Sequence, residues 1–132
     1  MKAVADSCPC GADASFEQCC ARFILHGEAP VSAEQLMRSR YSAYVRRDEA
    51  YLLRTWHPDR RPEALGVADD LALKWLGLTI LDTLRGGALD QDGEVEFVAR
   101  YKRNGKDGRI HERSRFERDA GGRWLYVDGS AG

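Results

Sequence analysis

The order of sequence patterns predicts an α+β fold, with helices packed on one face of a curved antiparallel sheet and a small cysteine-bound knuckle ahead of them. Three observations carry this. Apolar and aromatic residues recur at helical spacing between residues 33 and 57, strand-forming runs separated by turn dipeptides fill the chain from Leu73 onward, and four cysteines cluster near the N-terminus. The 132 residues suffice for one main core and a short appendage, because a second core would need roughly another 100 residues. With 43% hydrophobic and 31% charged residues the composition is that of a folded chain.

The first element is the cysteine cluster, Cys8-Pro9-Cys10-Gly11 followed after seven residues by Cys19-Cys20, with no cysteine elsewhere. The chain runs from Met1-Lys2 straight to these cysteines with no signal-peptide core, and no apolar run reaches the ~20 residues needed to span a bilayer. A cytoplasmic protein is therefore expected, and in a reducing compartment clustered cysteines are more often metal ligands than disulfide partners. Neither Cys8 with Cys10 nor Cys19 with Cys20 has good geometry for a disulfide. Two close pairs joined by a short loop supply the four thiolates of a tetrahedral zinc site, with one Zn2+ per chain. A shell filled by four thiolates leaves no position for substrate, so such a zinc is structural. Ser15 with Gln18 three residues on fits a capping box, which predicts a short helix delivering Cys19 and Cys20.

The stretch CPCGADASFEQCC resembles the SEC-C motif, with Gly11-Ala12-Asp13 where Gly-Ser-Gly is usual. The resemblance implies zinc, and docking of the knuckle onto a protein or ribosomal partner.

Past a linker at His26–Pro30, Ser32 and Gln35 predict another helix start. Leu36, Met37, Arg40, Tyr41, Tyr44 and Val45 make an apolar and aromatic stripe over roughly 33–47. Asp48 is placed to cap a second helix carrying Tyr51, Leu52, Thr55 and Trp56, which ends at His57-Pro58. Pro62 predicts the first turn of a third short helix. The strands expected are Leu73–Leu81, stopping at Arg85-Gly86-Gly87, then Glu94–Lys102, Arg109–Glu117 and Arg123–Val127. Asp92-Gly93, Asn104-Gly105 and Gly121-Gly122 separate them as turns, which makes the connections antiparallel hairpins.

This order resembles the cone-shaped fold of nuclear transport factor 2-like (NTF2-like) proteins, in which helices and sheet enclose a pocket. More specifically, LMRSRYSAYV at 36–45, YLLRTWHP at 51–58, and HERSRF and WLYVDG near the end look like the bacterial YchJ family over nearly the whole chain. The resemblance implies a SEC-C knuckle at 1–27 and an NTF2-like domain at 28–132, and brings no established activity. Some members of that family carry a second cysteine motif at the C-terminus, which is not found in these 132 residues.

The formal net charge of -1 gives no long-range attraction to nucleic acid or to an anionic membrane, so neither is an expected partner. Charge is mildly banded, with seven arginines against four acids over residues 31–61. Arginines 38, 40, 46, 47 and 54 on the two helices are read as a solvated face, with phosphate contact as the alternative.

Candidate pocket residues follow from strand alternation. Ile110, Glu112, Ser114 and Phe116 share one face, so Glu112 turns towards the core, where burial raises a carboxylate's pKa unless a partner offsets it. Arg40 on the helix stripe is the expected partner. The two readings of Glu112 are a structural ion pair and a general acid or base. Tyr44, Trp56 and Tyr101 belong to an aromatic set, with Tyr41, Trp75, Phe97, Phe116, Trp124 and Tyr126, that serves either as core or as cavity lining. His57 at the helix end is a pocket-mouth candidate or a helix C-cap cation, while His111 points to the outer face and His26 lies in the linker. The sequence has no glycine-rich phosphate loop, nucleophile elbow or helical His-Glu-x-x-His. Three functions stay open: a zinc-binding adaptor, a small-molecule binding module using the aromatic pocket, and a hydrolase or isomerase in which Glu112 works with Ser114 and His57 in support.

Overall fold

A computed structural model describes residues 7–131; the first six residues of the expected knuckle segment, and Gly132, lie outside the described residues. Helices α1 (Ala21–Ile24), α2 (Ala33–Val45) and α3 (Glu49–Arg54) precede a 3-10 turn at Val67–Asp69. The strands β1 (Leu73–Arg85), β2 (Asp92–Arg103), β3 (Lys106–Arg118) and β4 (Trp124–Ala131) follow. They form one antiparallel sheet in the order β1-β2-β3-β4, as a chain of hairpins should.

Local chemistry explains most boundaries. Ser32 Oγ accepts from the Gln35 amide at 3.1 Å, and Gln35 Oε1 accepts from the Val31 amide at 2.9 Å, so α2 opens on a reciprocal cap displaced by one residue from the usual box. Asp48 Oδ1 caps α3 by accepting from the Tyr51 amide at 3.1 Å. The β2–β3 hairpin turns through Asn104 and Gly105, both at positive φ (52° and 82°), which is the two-residue turn whose twist matches the strands it joins. Irregularities at Trp75/Gly77 and Ile80/Asp82 in β1, and at Arg115/Phe116 in β3, bend the sheet around α2.

Two expected helices are absent. Ser15 Oγ does accept from the Gln18 amide (3.2 Å), but residues 16–20 run as successive turns and regular helix begins only at Ala21. In a helix adjacent side chains diverge by about 100°, and Cys19 and Cys20 must instead converge on one point. Pro62 starts no helix either. The amides of Leu65, Gly66 and Val67 all donate to the Glu49 carboxylate (3.2, 2.8 and 3.3 Å), so their hydrogen bonds go to a distant side chain rather than to a helical turn.

The core is continuous. Leu36, Leu52, Tyr51, Val95, Phe116 and Trp124 are buried between α2, α3 and the sheet, and the same cluster extends to Cys8, Cys10, Cys20, Phe23 and Ile24. Burial alternates along β2 at Val95, Phe97 and Ala99, the face that receives α2. Among the described residues no helix is long and apolar enough to cross a membrane.

Candidate functional site

Two sites flank α2. The first is the cysteine cluster. The Sγ atoms of Cys8, Cys10, Cys19 and Cys20 all lie within 4.8 Å of one another, with Cys10–Cys19 at 3.7 Å and Cys19–Cys20 at 4.0 Å. Four sulfurs about 2.3 Å from a central metal stand about 3.8 Å apart at tetrahedral angles, so the spacing fits a metal ion. The four thiols are free, and all but Cys19 are buried. Hydrogen bonds from Cys10 and Cys20 hold the Cys8 thiol far below its ordinary pKa, while burial, then the charge of Cys10, pushes Cys19 up to about 12. Cys20 is pushed up chiefly by its hydrogen bonds with Cys10 and Cys8. Four adjacent thiolates tolerate one another only around a cation.

The knuckle is fastened by arginines that the sequence reading assigned to a solvated face. Arg38 donates through Nη1 to the Cys10 carbonyl at 2.7 Å and through Nε to Glu34 at 2.9 Å. The Arg54 guanidinium donates to the carbonyls of Phe23 and Ile24, and Arg46 stacks on the Phe16 ring at 4.5 Å. Arg47 donates to the carbonyls of Asp70 and Leu73. Arg46 and Arg54 stay exposed, as the solvated-face expectation has it, while Arg38 and Arg47 are half-buried and donate to backbone carbonyls of the same chain, and Arg40 is buried.

The second site is a half-open cavity of about 330 Å³ between α2 and the concave face of the sheet. Arg40, Tyr44, Tyr101, Glu112 and Ser114, all expected at a pocket, line it together. Trp75 forms its aromatic wall, with ring centroids 5.8 Å from Tyr41, 5.9 Å from Tyr44 and 5.8 Å from Tyr101. Two glycines make space. A side chain at Gly108 would collide with the Tyr101 ring, and one at Gly129 would collide with the Glu112 carboxylate.

The expected Arg40–Glu112 ion pair is absent. Arg40 is 3% exposed and donates through Nη1 to the Leu52 carbonyl (2.8 Å) and the Thr55 hydroxyl (2.7 Å). Its guanidinium lies over the rings of Tyr126 (4.6 Å) and Trp56 (5.0 Å). Glu112 Oε2 instead accepts from Ser114 Oγ at 2.8 Å and from the Tyr126 hydroxyl at 3.4 Å. The carbonyl and hydroxyl at the end of α3 capture the arginine first. Burial pushes the Arg40 pKa down and the Tyr126 pKa up, the latter helped by the Glu112 charge; burial also raises Tyr44.

Trp56 and His57 are outside the cavity lining. Trp56 packs edge-on against Tyr126, and the His57 amide donates to the Tyr126 carbonyl at 2.8 Å, which points the imidazole to Asp59 and Glu117, each 3.9 Å away. His111 pairs with Glu96 at 2.6 Å and His26 with Glu17 at 2.8 Å, both away from the pocket. Met37, Leu73 and Arg103 are lining residues that the sequence reading missed. Met37 was legible as part of the α2 stripe; Arg103 gave no signal, since it reaches the rim from the end of β2.

The family described as YchJ, middle NTF2-like domain, matches residues 32–129, the stretch that builds the sheet and the cavity. The chain belongs to the YchJ family. A UPF0225 protein of Ralstonia nicotianae is 54% identical over 133 residues, covering 93% of this YchJ chain and 90% of that protein. One from Streptomyces coelicolor is 51% identical over 122 residues, covering 92% and 93%. The solution structure of a SEC-C motif containing protein from Rhodopseudomonas palustris superposes with a TM-score of 0.83 at 34% identity, covering 95% of this chain and 98% of that one. A crystal structure of another SEC-C motif containing protein, from Psychrobacter arcticus, shares the fold with a TM-score of 0.77 at 23% identity, covering 100% and 86%. The YchJ chain therefore combines an NTF2-like domain with an N-terminal cysteine cluster of SEC-C type.

Proposed function

We propose that this protein is a small-molecule binding module whose ligand enters the cavity beneath α2, and that a structural zinc ion closes the cysteine knuckle. The observation that supports binding is the cavity: a mostly apolar, aromatic wall with a few polar groups converging on it, in a volume suited to a small ligand. Four thiolates as the whole ligand set favour zinc over the harder oxygen-seeking cations, and a filled shell gives the ion no catalytic position. No histidine or cysteine lines the cavity and Glu112 touches Ser114 and Tyr126, so binding is better supported than acid–base hydrolysis. The adaptor reading of the knuckle draws less support, because three of its four cysteines are buried against the domain.

The test is a thermal-shift screen of small aromatic metabolites on the wild type and on Ala99→Leu, which fills the cavity wall. Binding raises the melting temperature by mass action, and the shift should vanish in the filled variant. A library without a single hit, or hits that survive Ala99→Leu, would defeat the pocket reading. Metal analysis of the untagged protein should return about one zinc per chain.

A further inference from the structure

The cavity contains two opposite charges that do not satisfy each other. Arg40 is 3% exposed, and among the described residues no carboxylate reaches ion-pair distance of it. Its Nη1 is committed to Leu52 and Thr55, with two aromatic faces stacked on the guanidinium and the Tyr44 hydroxyl beside it. A guanidinium has five donors in a planar fork suited to a carboxylate, and one buried without a counter-ion carries a large desolvation cost. Glu112 faces the same space and accepts its hydrogen bonds from Ser114 and Tyr126 through one oxygen, Oε2. Both groups touch Tyr126, the arginine over its ring and the glutamate at its hydroxyl, so one side chain's length separates them. The other cation of the lining, Arg103, is held at the rim by both carboxylate oxygens of Asp70, each at 2.9 Å, and does not enter this balance.

An anion alone would meet the Glu112 charge, and a cation alone would meet Arg40. A ligand that carries both signs, or a carboxylate and a strong donor, satisfies each without burying a new imbalance. The remaining wall, Trp75 with Tyr41, Tyr44 and Tyr101 around it and Phe97 below, takes an apolar or aromatic body. Resting on the pocket reading above, we propose that the ligand is a small zwitterion with an aromatic or apolar side group, chemically an aromatic α-amino acid, its carboxylate on Arg40 and its ammonium on Glu112.

The experiment is isothermal titration of the full-length, zinc-loaded protein with L-phenylalanine, phenylacetate, phenethylamine and benzyl alcohol. Phenylalanine should bind at least about tenfold more tightly than either singly charged probe, a difference of about 1.4 kcal/mol. Glu112→Gln should erase its advantage over phenylacetate while leaving the fold intact by circular dichroism. Arg40→Met should erase the advantage over phenethylamine, and if that variant fails to fold the Glu112 arm decides alone. Equal or tighter binding of phenylacetate or phenethylamine overturns the two-charge assignment, as does an unchanged preference in Glu112→Gln. Binding of benzyl alcohol as tight as that of phenylalanine leaves the pocket as a binding site and removes the zwitterion. Silence from all four probes overturns this assignment, and the metabolite screen then decides separately whether the pocket reading falls with it.

Discussion

The knuckle and the cavity lie against the same helix, α2, and treat buried polar groups in opposite ways. On the knuckle side the groups close on one another: four thiols converge, Cys8 Sγ approaches the Ser42 hydroxyl at 3.5 Å, and Ser39 Oγ donates to the Leu36 carbonyl and meets the Tyr51 hydroxyl at 2.6 Å. Arg38 seals that side through the Cys10 carbonyl. On the cavity side a buried guanidinium and a carboxylate share a space without pairing. Closure of this kind is how a segment too small for its own core is stabilised, whereas spare hydrogen-bonding capacity around an apolar hollow is how a binding site is prepared. The two sides therefore respond differently to the same kinds of change.

The largest effect expected is at the knuckle. Cys10→Ser, or chelation, should take metal content to near zero and lower the unfolding free energy by more than about 4 kcal/mol, the range reached when a metal site is lost. A denaturant melt with parallel metal analysis reads both. A stable, metal-free variant would mean that the cluster does not hold the domain together.

Next comes alkaline pH. Burial raises Tyr41, on the cavity side, and Tyr51, on the knuckle side, to about 12 each. An unfolded tyrosine ionises near 10, so the native state holds the extra protons between about pH 10 and 12. Their contribution is complete below pH 10 and is lost as pH rises through 12, at roughly 2 kcal/mol for Tyr51 and, with solvent screening, less for Tyr41. Tyr51→Phe and Tyr41→Phe should each flatten the pH dependence in that window. If only Tyr51→Phe does so, the cavity is wetter than its wall suggests and the contrast sharpens.

A smaller loss follows from unfastening the knuckle. Arg38→Ala removes a charged hydrogen bond to the Cys10 carbonyl and should cost about 1.5–3 kcal/mol. Metal should still bind, more weakly, as a chelator competition would show. The smallest change is expected from Glu112→Gln, under about 1 kcal/mol, since the amide can still accept from Ser114 and no ion pair is broken. A drop of several kcal/mol there would restore the ion-pair reading of this residue.

Much of the fold was legible because its signals are local. The Asn104-Gly105 turn, the Ser32 and Asp48 caps and the alternation through Glu112, Ser114 and Phe116 depend on residues within a few positions of each other. The four cysteines were legible for the same reason. Failures came where a side chain or amide found a partner that the local pattern does not announce. Glu49 drew the amides of 65–67 away from the helix that Pro62 suggested, Leu52 and Thr55 took Arg40 from Glu112, and the Cys10 carbonyl took Arg38. Face assignment put Arg40, Tyr44, Tyr101, Glu112 and Ser114 around one hollow, whereas the direction of His57 depended on a single backbone bond to β4 that no spacing announces.

Gly129 gives the hollow a mechanical character. It lies in β4 opposite Ser114, and its missing side chain is the slot into which Glu112 folds. Filling that slot with even one methyl group would displace the Glu112 carboxylate from it. Position 129 thus acts as a set-screw: one added carbon at a residue outside the lining would reposition Glu112, which is in it.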